Sequence, residues 1–291
     1  MKYRKLEGTD LTVPQYVLGT GDYASNVPAD IARDLLKTYV DCGGTMLDTS
    51  HYYGSFLVGG RSLSECLVGD FLQENHLREQ VLISTKGCCY ATNKPYEKRM
   101  TPAFLRSDLT ESLRNLHTDY IDFYWLHQDD PSQPVGAILE ELNRCVEEGK
   151  IRYFGCSNWK IERILEADAY AEAHGLRKFS ANQVMLNMAY PNMTAVDELI
   201  QTWLTPGMRK YHERTQRPVF AYCSQASGFF YNCFKDDYME NIGYSYSRKY
   251  FYNSESLRRA KQALRLSKQS GMTLQDIGDI DFLSGKPGMF Q

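Results

Sequence analysis

The sequence predicts an α/β fold, a parallel (β/α)8 TIM-type barrel with an N-terminal β-hairpin, on three observations. Short apolar runs alternate along the chain with longer segments of helical period. The runs lack strict polar–apolar alternation, as expected of parallel strands buried on both faces. Ionisable and hydroxyl side chains follow the runs, at the strand ends where such barrels carry their chemistry. The chain has 291 residues, room for one barrel of roughly 250 residues. No low-complexity linker divides it, so a single domain over residues 1–291 is expected.

The elements can be taken in order. Tyr3–Leu6 and Leu11–Val13 flank the turn signal Glu7-Gly8-Thr9-Asp10 and predict a hairpin. Parallel strands are expected at Tyr16–Leu18, Thr45–Leu47, Val81–Ser84, Tyr120–Leu126, Ile151–Phe154, Phe179–Leu186 and Pro218–Tyr222. In the first helix, Ile31, Leu35, Leu36, Tyr39 and Val40 share a face. Thr101-Pro102 supplies an N-cap and a first-turn proline ahead of Leu105, Leu109, Leu113 and Leu116. Val135, Ile138, Leu139, Leu142 and Val146 line up at helical spacing. Further helices are expected near 62–74, 160–174, 194–204 and 254–270. That makes seven strand–helix units, one fewer than a barrel has. The stretch Ser227–Ser254, rich in Tyr, Phe and Asn, reads as a long connection, either covering a substrate mouth or packed as a surface loop.

Composition excludes several classes. The net charge is −3 and 24% of residues are charged, so no electrostatic pull toward nucleic acid or anionic membranes is expected. No apolar run reaches the ~18 residues of a membrane span. The basic start, Met1-Lys2-Tyr3-Arg4-Lys5, leads into no apolar stretch, so a cytoplasmic rather than secreted protein is expected. The eight cysteines form no C-x-x-C pair and read as reduced thiols rather than a disulfide framework or zinc site. The vicinal Cys88-Cys89 reads as two ordinary thiols in preference to a redox pair. Asp276, Asp279 and Asp281 read as a solvated acidic turn, since no full calcium-loop pattern follows. No metal site is expected.

The polar residues at the strand ends converge. The second strand ends in Asp48-Thr49-Ser50-His51-Tyr52-Tyr53-Gly54, the third in Thr85-Lys86-Gly87 and the fourth in His127-Gln128-Asp129. Taken singly, each has a structural explanation such as a buried ion pair. Together they suit carbonyl reduction. A hydride arriving at a carbonyl carbon leaves negative charge on oxygen, which needs a proton donor. Free tyrosine titrates near 10, high for acid catalysis at neutral pH, and an ammonium such as Lys86 lowers that value. Asp48 would hold the lysine, and His127 would donate a hydrogen bond to the developing oxyanion.

These residues resemble the aldo-keto reductase family. The resemblance is carried by Asp48-Thr49-x-x-x-Tyr53-Gly54, Lys86, Leu116-x-x-Asp119-Tyr120-Ile121-Asp122-x-x-x-x-His127, Gly155-x-Ser157-Asn158, Gln183 and Tyr222-x-Ser224, in that order, over about residues 1–275. It implies an NADPH-dependent carbonyl reductase, with NADH as the alternative cofactor, or the reverse alcohol oxidation. It implies Tyr53 as general acid/base supported by Lys86, Asp48 and His127. Ser157, Asn158 and Gln183 would hold the nicotinamide carboxamide, with Tyr222 stacked on the ring and Ser224 beside it. Gly19, Thr20 and Gly21 would line the cofactor region. Trp125, Phe56 and Tyr90 would line the substrate mouth for a small carbonyl or alcohol.

The resemblance weakens toward the end of the chain. Gly278-Asp279-Ile280-Asp281 interrupts the helical pattern, so the eighth β/α unit and its phosphate clamp are expected to be incomplete. Weakened dinucleotide binding, lower stability, and self-association through an open barrel edge would follow. The competing reading is a non-catalytic or impaired relative that senses cofactor or binds a partner. A second competitor, a dinucleotide-binding fold on Gly19-x-Gly21-x-x-Ala24, is disfavoured because the helix starts only near Pro28.

Overall fold

Each predicted strand position carries a strand, within a residue or a few. The computed structural model describes residues 1–55, 57, 61–89, 99–195 and 201–274. The hairpin pairs β1 (Tyr3–Lys5) antiparallel with β2 (Thr12–Pro14), Tyr3 opposite Pro14. Among the described residues seven strands follow: β3 (Leu18–Gly19), β4 (Met46–Asp48), β5 (Leu82–Gly87), β6 (Ile121–Leu126), β7 (Ile151–Ser157), β8 (Asn182–Met185) and β9 (Val219–Tyr222). They keep chain order in the sheet. The pairs from β3 to β7 are parallel, with Gly19 beside Asp48, Asp48 beside Ser84, Lys86 beside Trp125 and Trp125 beside Gly155. Helices alternate with the strands, which is the α/β class expected, hairpin included.

The described residues group into two compact units. Residues 1–182 and 210–218 form the first, and residues 183–209 and 219 onward form the second.

In the first unit, α1 (Ala29–Asp41), α2 (Leu63–Glu74), α3 (Pro102–Asn115), α4 (Val135–Glu147) and α5 (Ile161–His174) follow successive strands. The Thr101 side chain accepts the Phe104 N–H ahead of Pro102, the cap read from sequence. Ser62 does the same for α2 through the Glu65 N–H. Val135, Ile138, Leu139 and Leu142 of α4 are buried as their spacing predicts. In α1 the stripe is rotated by one position. Ala32 and Leu36 are buried, whereas Ile31 and Leu35 are exposed. The small Ala32 lets the helix approach closely, so its row takes the inward face.

Polar ties hold the strands from below. Asp122, 1% exposed, accepts the Ile83 N–H at 2.9 Å and pairs with Arg78 at 3.0 Å and Arg152 at 2.7 Å. The hairpin is fastened to the same region, since Tyr153 and Arg152 both donate to Asp10.

Two expectations are corrected further along the chain. The helix expected near 194–204 lies further on, as α6 (Pro206–Thr215). The Thr205 hydroxyl accepts the Met208 N–H at 3.2 Å ahead of Pro206, a cap-and-proline start. Trp203 instead bridges to Met185 in extended backbone, and residues 196–200 lie outside the described residues. The stretch Ser227–Ser254 is not a connection without structure. It contains α7 (Phe229–Asn232) and α8 (Ser245–Phe251), each preceded by a 3₁₀ turn. Phe229, Phe230, Tyr238 and Phe251 form a core with Met185, Met188, Ala260 and Ala263. Four of its aromatics are thus core residues, whereas Tyr231, Phe234, Tyr246 and Tyr252 are exposed, and the short helices show no long helical period. The helix expected at 254–270 is α9 (Ser254–Ser270), capped by Asn253 and ended by Gly271 in the left-handed region. The Gly278–Asp281 interruption and the incomplete eighth unit were read on residues that lie outside the described ones.

Candidate active site

The parallel register sets one face of three neighbouring strands. Side chains two apart in a strand point the same way. Asp48, Ser84, Lys86, Phe123 and Trp125 therefore share a face, and their contacts agree. Lys86 Nζ is 2.5 Å from Asp48 Oδ2 and 2.8 Å from the Thr49 carbonyl. Ser84 Oγ donates to Asp48 Oδ1 at 2.6 Å. The Trp125 indole N–H donates to Ser84 Oγ at 2.8 Å, and its ring lies 4.3 Å from that of Phe123.

Tyr53 arrives from the turn after β4. The Tyr53 N–H bonds to the Ser50 carbonyl, and the Ser62 hydroxyl, the α2 cap, donates to the carbonyls of Ser50 and Tyr53. The turn is thus riveted to a helix N-terminus. Gly54 follows at φ +75°, where a Cβ would come within 2.9 Å of the Leu63 Cβ, so both backbone conformation and space call for glycine. Lys86 Nζ stands 5.0 Å from the centre of the Tyr53 ring. His127, one residue past β6, meets that ring edge-on at 5.8 Å. The four residues read as a reaction centre are therefore neighbours in the first unit.

Their electrostatics are set by burial against charge. The Lys86 side chain is 2% exposed. Burial works against its charge, but Asp48 and Tyr53 outweigh it and raise its pKa above the ordinary lysine value. Burial raises the Tyr53 phenol, and Lys86 opposes that by charge and hydrogen bonding. The sequence reading had the direction of the Lys86 effect and omitted the larger desolvation, so the net shift is upward. His127 is pushed down to about 3 by burial and then by the Lys86 charge, which keeps its ring neutral at working pH. A neutral imidazole donates through one nitrogen and accepts through the other.

The remaining predicted residues fall into groups. Ser157 closes β7 and Asn158 follows it at φ +61°. Asn158 Nδ2 donates to the His127 carbonyl at 3.0 Å and to Ser157 Oγ at 3.1 Å, which brings this pair beside His127. Gly19 ends β3, and Gly21 faces the Tyr53 ring, 3.7 Å from where its Cβ would be. Thr20 turns inward, its hydroxyl bonded to the Asp48 carbonyl and to Ser64 Oγ. Trp125 has no exposed surface. In the second unit, Gln183 is buried, Tyr222 partly buried and Ser224 exposed. Phe56 and Tyr90 lie outside the described residues.

Sequence reasoning missed Ser84, Ser50 and Ser62. The first was available as a hydroxyl two residues before Lys86 in one strand. Ser50 and Ser62 gave no signal, since their partners depend on the path of the turn. Cys88 and Cys89 are buried, and burial lifts both thiols, Cys89 to about 12, which is unfavourable for a reactive thiolate. Among the described residues no cluster of His, Cys, Asp or Glu could hold a metal ion, and no helix is long and apolar enough to cross a membrane.

Comparison with known proteins gives the family. The chain is 29% identical over 181 residues to the aldo-keto reductase YhdN of Bacillus subtilis, covering 61% of this chain and 53% of that protein. It is 30% identical over 159 residues to an aryl-alcohol dehydrogenase of Pestalotiopsis microspora, covering 53% and 40%. It is 30% identical over 174 residues to a norsolorinic acid reductase of Aspergillus flavus, covering 57% and 42%. The matches thus span about half, or less, of these relatives' length. A profile of the Aldo/keto reductase family matches residues 16–277, most of the chain and every residue of the centre described above. The chain belongs to the aldo/keto reductase family.

Proposed function

We propose that this chain interconverts a small carbonyl compound, an aldehyde or ketone with sugars included, and its alcohol, with Tyr53 as general acid/base. The observation that carries the reading is the buried Lys86–Asp48 ion pair set against the Tyr53 ring. In the reducing direction Tyr53 gives its phenolic proton to the carbonyl oxygen. The Lys86 ammonium, held by Asp48, favours the phenolate left behind. Neutral His127 donates a ring N–H to the same oxygen and stabilises its developing charge. In the oxidising direction the phenolate takes the alcohol proton back. The relatives' names, reductases and an alcohol dehydrogenase, support either direction.

A reduced nicotinamide dinucleotide, NADPH in the first instance and NADH as the alternative, supplies the hydride when bound. The donor set of the first unit fits its carboxamide. Ser157 and Asn158 are 1% and 6% exposed; Asn158 donates to the His127 carbonyl and to Ser157 Oγ, so an amide held there would lie beside the reaction centre. Gln183, Tyr222 and Ser224, which the resemblance also assigns to cofactor binding, belong to the second unit and offer an amide, a ring and a hydroxyl. All eight cysteines are free thiols, which suits the reducing cytoplasm we assign to the chain.

The test is NADPH consumption, followed by absorbance, with a panel of small aldehydes and ketones. Tyr53→Phe should lower turnover by about 10²–10⁴-fold, the usual worth of a positioned general acid. Equal turnover in Tyr53→Phe, or none in the natural chain, overturns the reading.

A further inference from the structure

We propose that Ser50 is a positioning residue that fixes the tautomer of His127, keeping the ring proton on Nε2. The inference rests on the reading that His127 donates to the substrate carbonyl, and it names what makes that donation available.

Ser50 has no exposed surface, so each hydrogen bond of its hydroxyl must be found within the protein. Three partners surround Oγ. The Tyr52 backbone N–H donates to it at 3.1 Å. His127 Nδ1 lies at 3.0 Å and the Lys86 carbonyl at 3.4 Å. The hydroxyl has one proton and two acceptors to choose from. The Lys86 carbonyl is at the outer limit of hydrogen-bond distance, and it already accepts the His51 N–H at 3.0 Å. Nδ1 is closer, and within these contacts the hydroxyl is its partner. The proton therefore goes to Nδ1, and Nδ1 acts as acceptor.

The consequence follows from imidazole chemistry. A neutral ring that accepts at Nδ1 carries its proton on Nε2. The other tautomer would point two N–H donors at Ser50 Oγ, from Tyr52 and from His127. It would push the hydroxyl proton onto the distant, already occupied carbonyl and turn a bare lone pair on Nε2 toward the substrate oxygen. That lone pair would repel a developing oxyanion, whereas the Nε2–H donates to it. Neutrality of the ring is independently favoured, because burial and the Lys86 charge both oppose protonation. Ser50 is held in place for the task. Its carbonyl accepts the Ser62 hydroxyl at 2.8 Å, which ties the turn to the start of α2.

The experiment is long-range 1H–15N correlation on the 15N-histidine-labelled full chain, with His127→Asn identifying the His127 signals among the six histidines. The natural chain should show His127 as the Nε2–H tautomer. Ser50→Ala should show a mixture with, or a change to, Nδ1–H. Aldehyde reduction by Ser50→Ala should fall by about 10²-fold, the loss of one oxyanion donor, with dinucleotide affinity unchanged. Ser50→Thr, which keeps the hydroxyl, should retain the Nε2–H signal and stands in if the alanine variant does not fold. An Nδ1–H tautomer in the natural chain, or the same tautomer in Ser50→Ala, overturns the proposal. The tautomer is read without substrate, so absence of carbonyl turnover would sink the functional reading while leaving this measurement decisive on Ser50.

Discussion

Ser84 Oγ donates to Asp48 Oδ1 at 2.6 Å, so the carboxylate that holds Lys86 is itself aimed by a hydroxyl from the lysine's own strand. Ser84 and Lys86 are two residues apart in β5 and reach the two oxygens of one carboxylate from the same face. A carboxylate with both oxygens engaged has little freedom to rotate away from the ammonium. Trp125 completes the arrangement by donating to Ser84 Oγ, which commits the hydroxyl proton to Asp48.

Removing that hydroxyl should therefore act on both stability and rate. Ser84→Ala removes the hydroxyl that accepts from the buried Trp125 indole N–H, at a cost of about 1–3 kcal/mol. It also lets Asp48 turn, and turnover should fall about tenfold, equivalent to one orienting bond of about 1.4 kcal/mol. Urea unfolding followed by tryptophan fluorescence reads the first effect and initial rates read the second. Unchanged values of both would show that Ser84 orients nothing.

Asp48→Asn asks more of the centre, because it keeps the shape and removes the charge. Asp48 and Tyr53 are what hold the Lys86 pKa up against burial. Without the carboxylate, burial wins, and the lysine pKa should fall. Leaving a buried charge without its partner costs about 3–5 kcal/mol, and the phenolate of Tyr53 loses its oriented cation. Stability measured at pH 7, together with the rate relative to the natural chain, should both drop. A variant as stable and active as the natural chain would remove the ion pair from the mechanism.

Much of this was legible in the sequence because strand ends are legible. Asp48, Lys86 and His127 lie at the close of apolar runs, and a parallel sheet in chain order brings such positions together. Tyr53 was legible by resemblance, since nothing in a six-residue turn says where its fifth residue goes. The hydroxyls were illegible for a related reason. Ser50 and Ser62 act through bonds that exist only once the turn is folded against α2. Core aromatics such as Phe229 and Phe251 looked like a loop because helices of four and seven residues carry too few turns to show a period.

Gly155 offers a test of how tightly the shared face is packed. A Cβ there would sit 2.5 Å from the Trp125 ring and 2.6 Å from the Ala181 carbonyl. The ring has no exposed surface into which to yield, and the carbonyl belongs to the backbone. Gly155→Ala should destabilise by about 1–3 kcal/mol through overpacking and shift the Trp125 emission. It should also lower turnover, because Trp125 is the group that backs Ser84. A neutral effect on the unfolding midpoint would mean that the neighbouring strand is looser than these distances imply.

The neutral state of His127 should be visible in the dependence of stability on pH. A free histidine takes up its proton near 6.5, but in the folded chain burial and Lys86 push this group down to about 3. Between those values the unfolded chain holds a proton on this ring that the folded chain does not. Its contribution to stability is therefore intact above pH 6.5 and is lost progressively as pH falls toward 3. By pH 4.5, about two pH units below the ordinary value, the loss should reach about 3 kcal/mol at about 1.36 kcal/mol per unit. His212, also lowered by burial, acts in the same direction, and Glu65, raised by burial, acts against it. The informative quantity is thus the difference between the natural chain and His127→Asn, whose side chain does not titrate. Urea unfolding at pH 7.5, 6, 5 and 4.5 should show the natural chain losing stability relative to the variant step by step. Two parallel curves would mean that His127 titrates in the folded chain as it does in the unfolded one, and that burial and Lys86 do not hold its ring neutral.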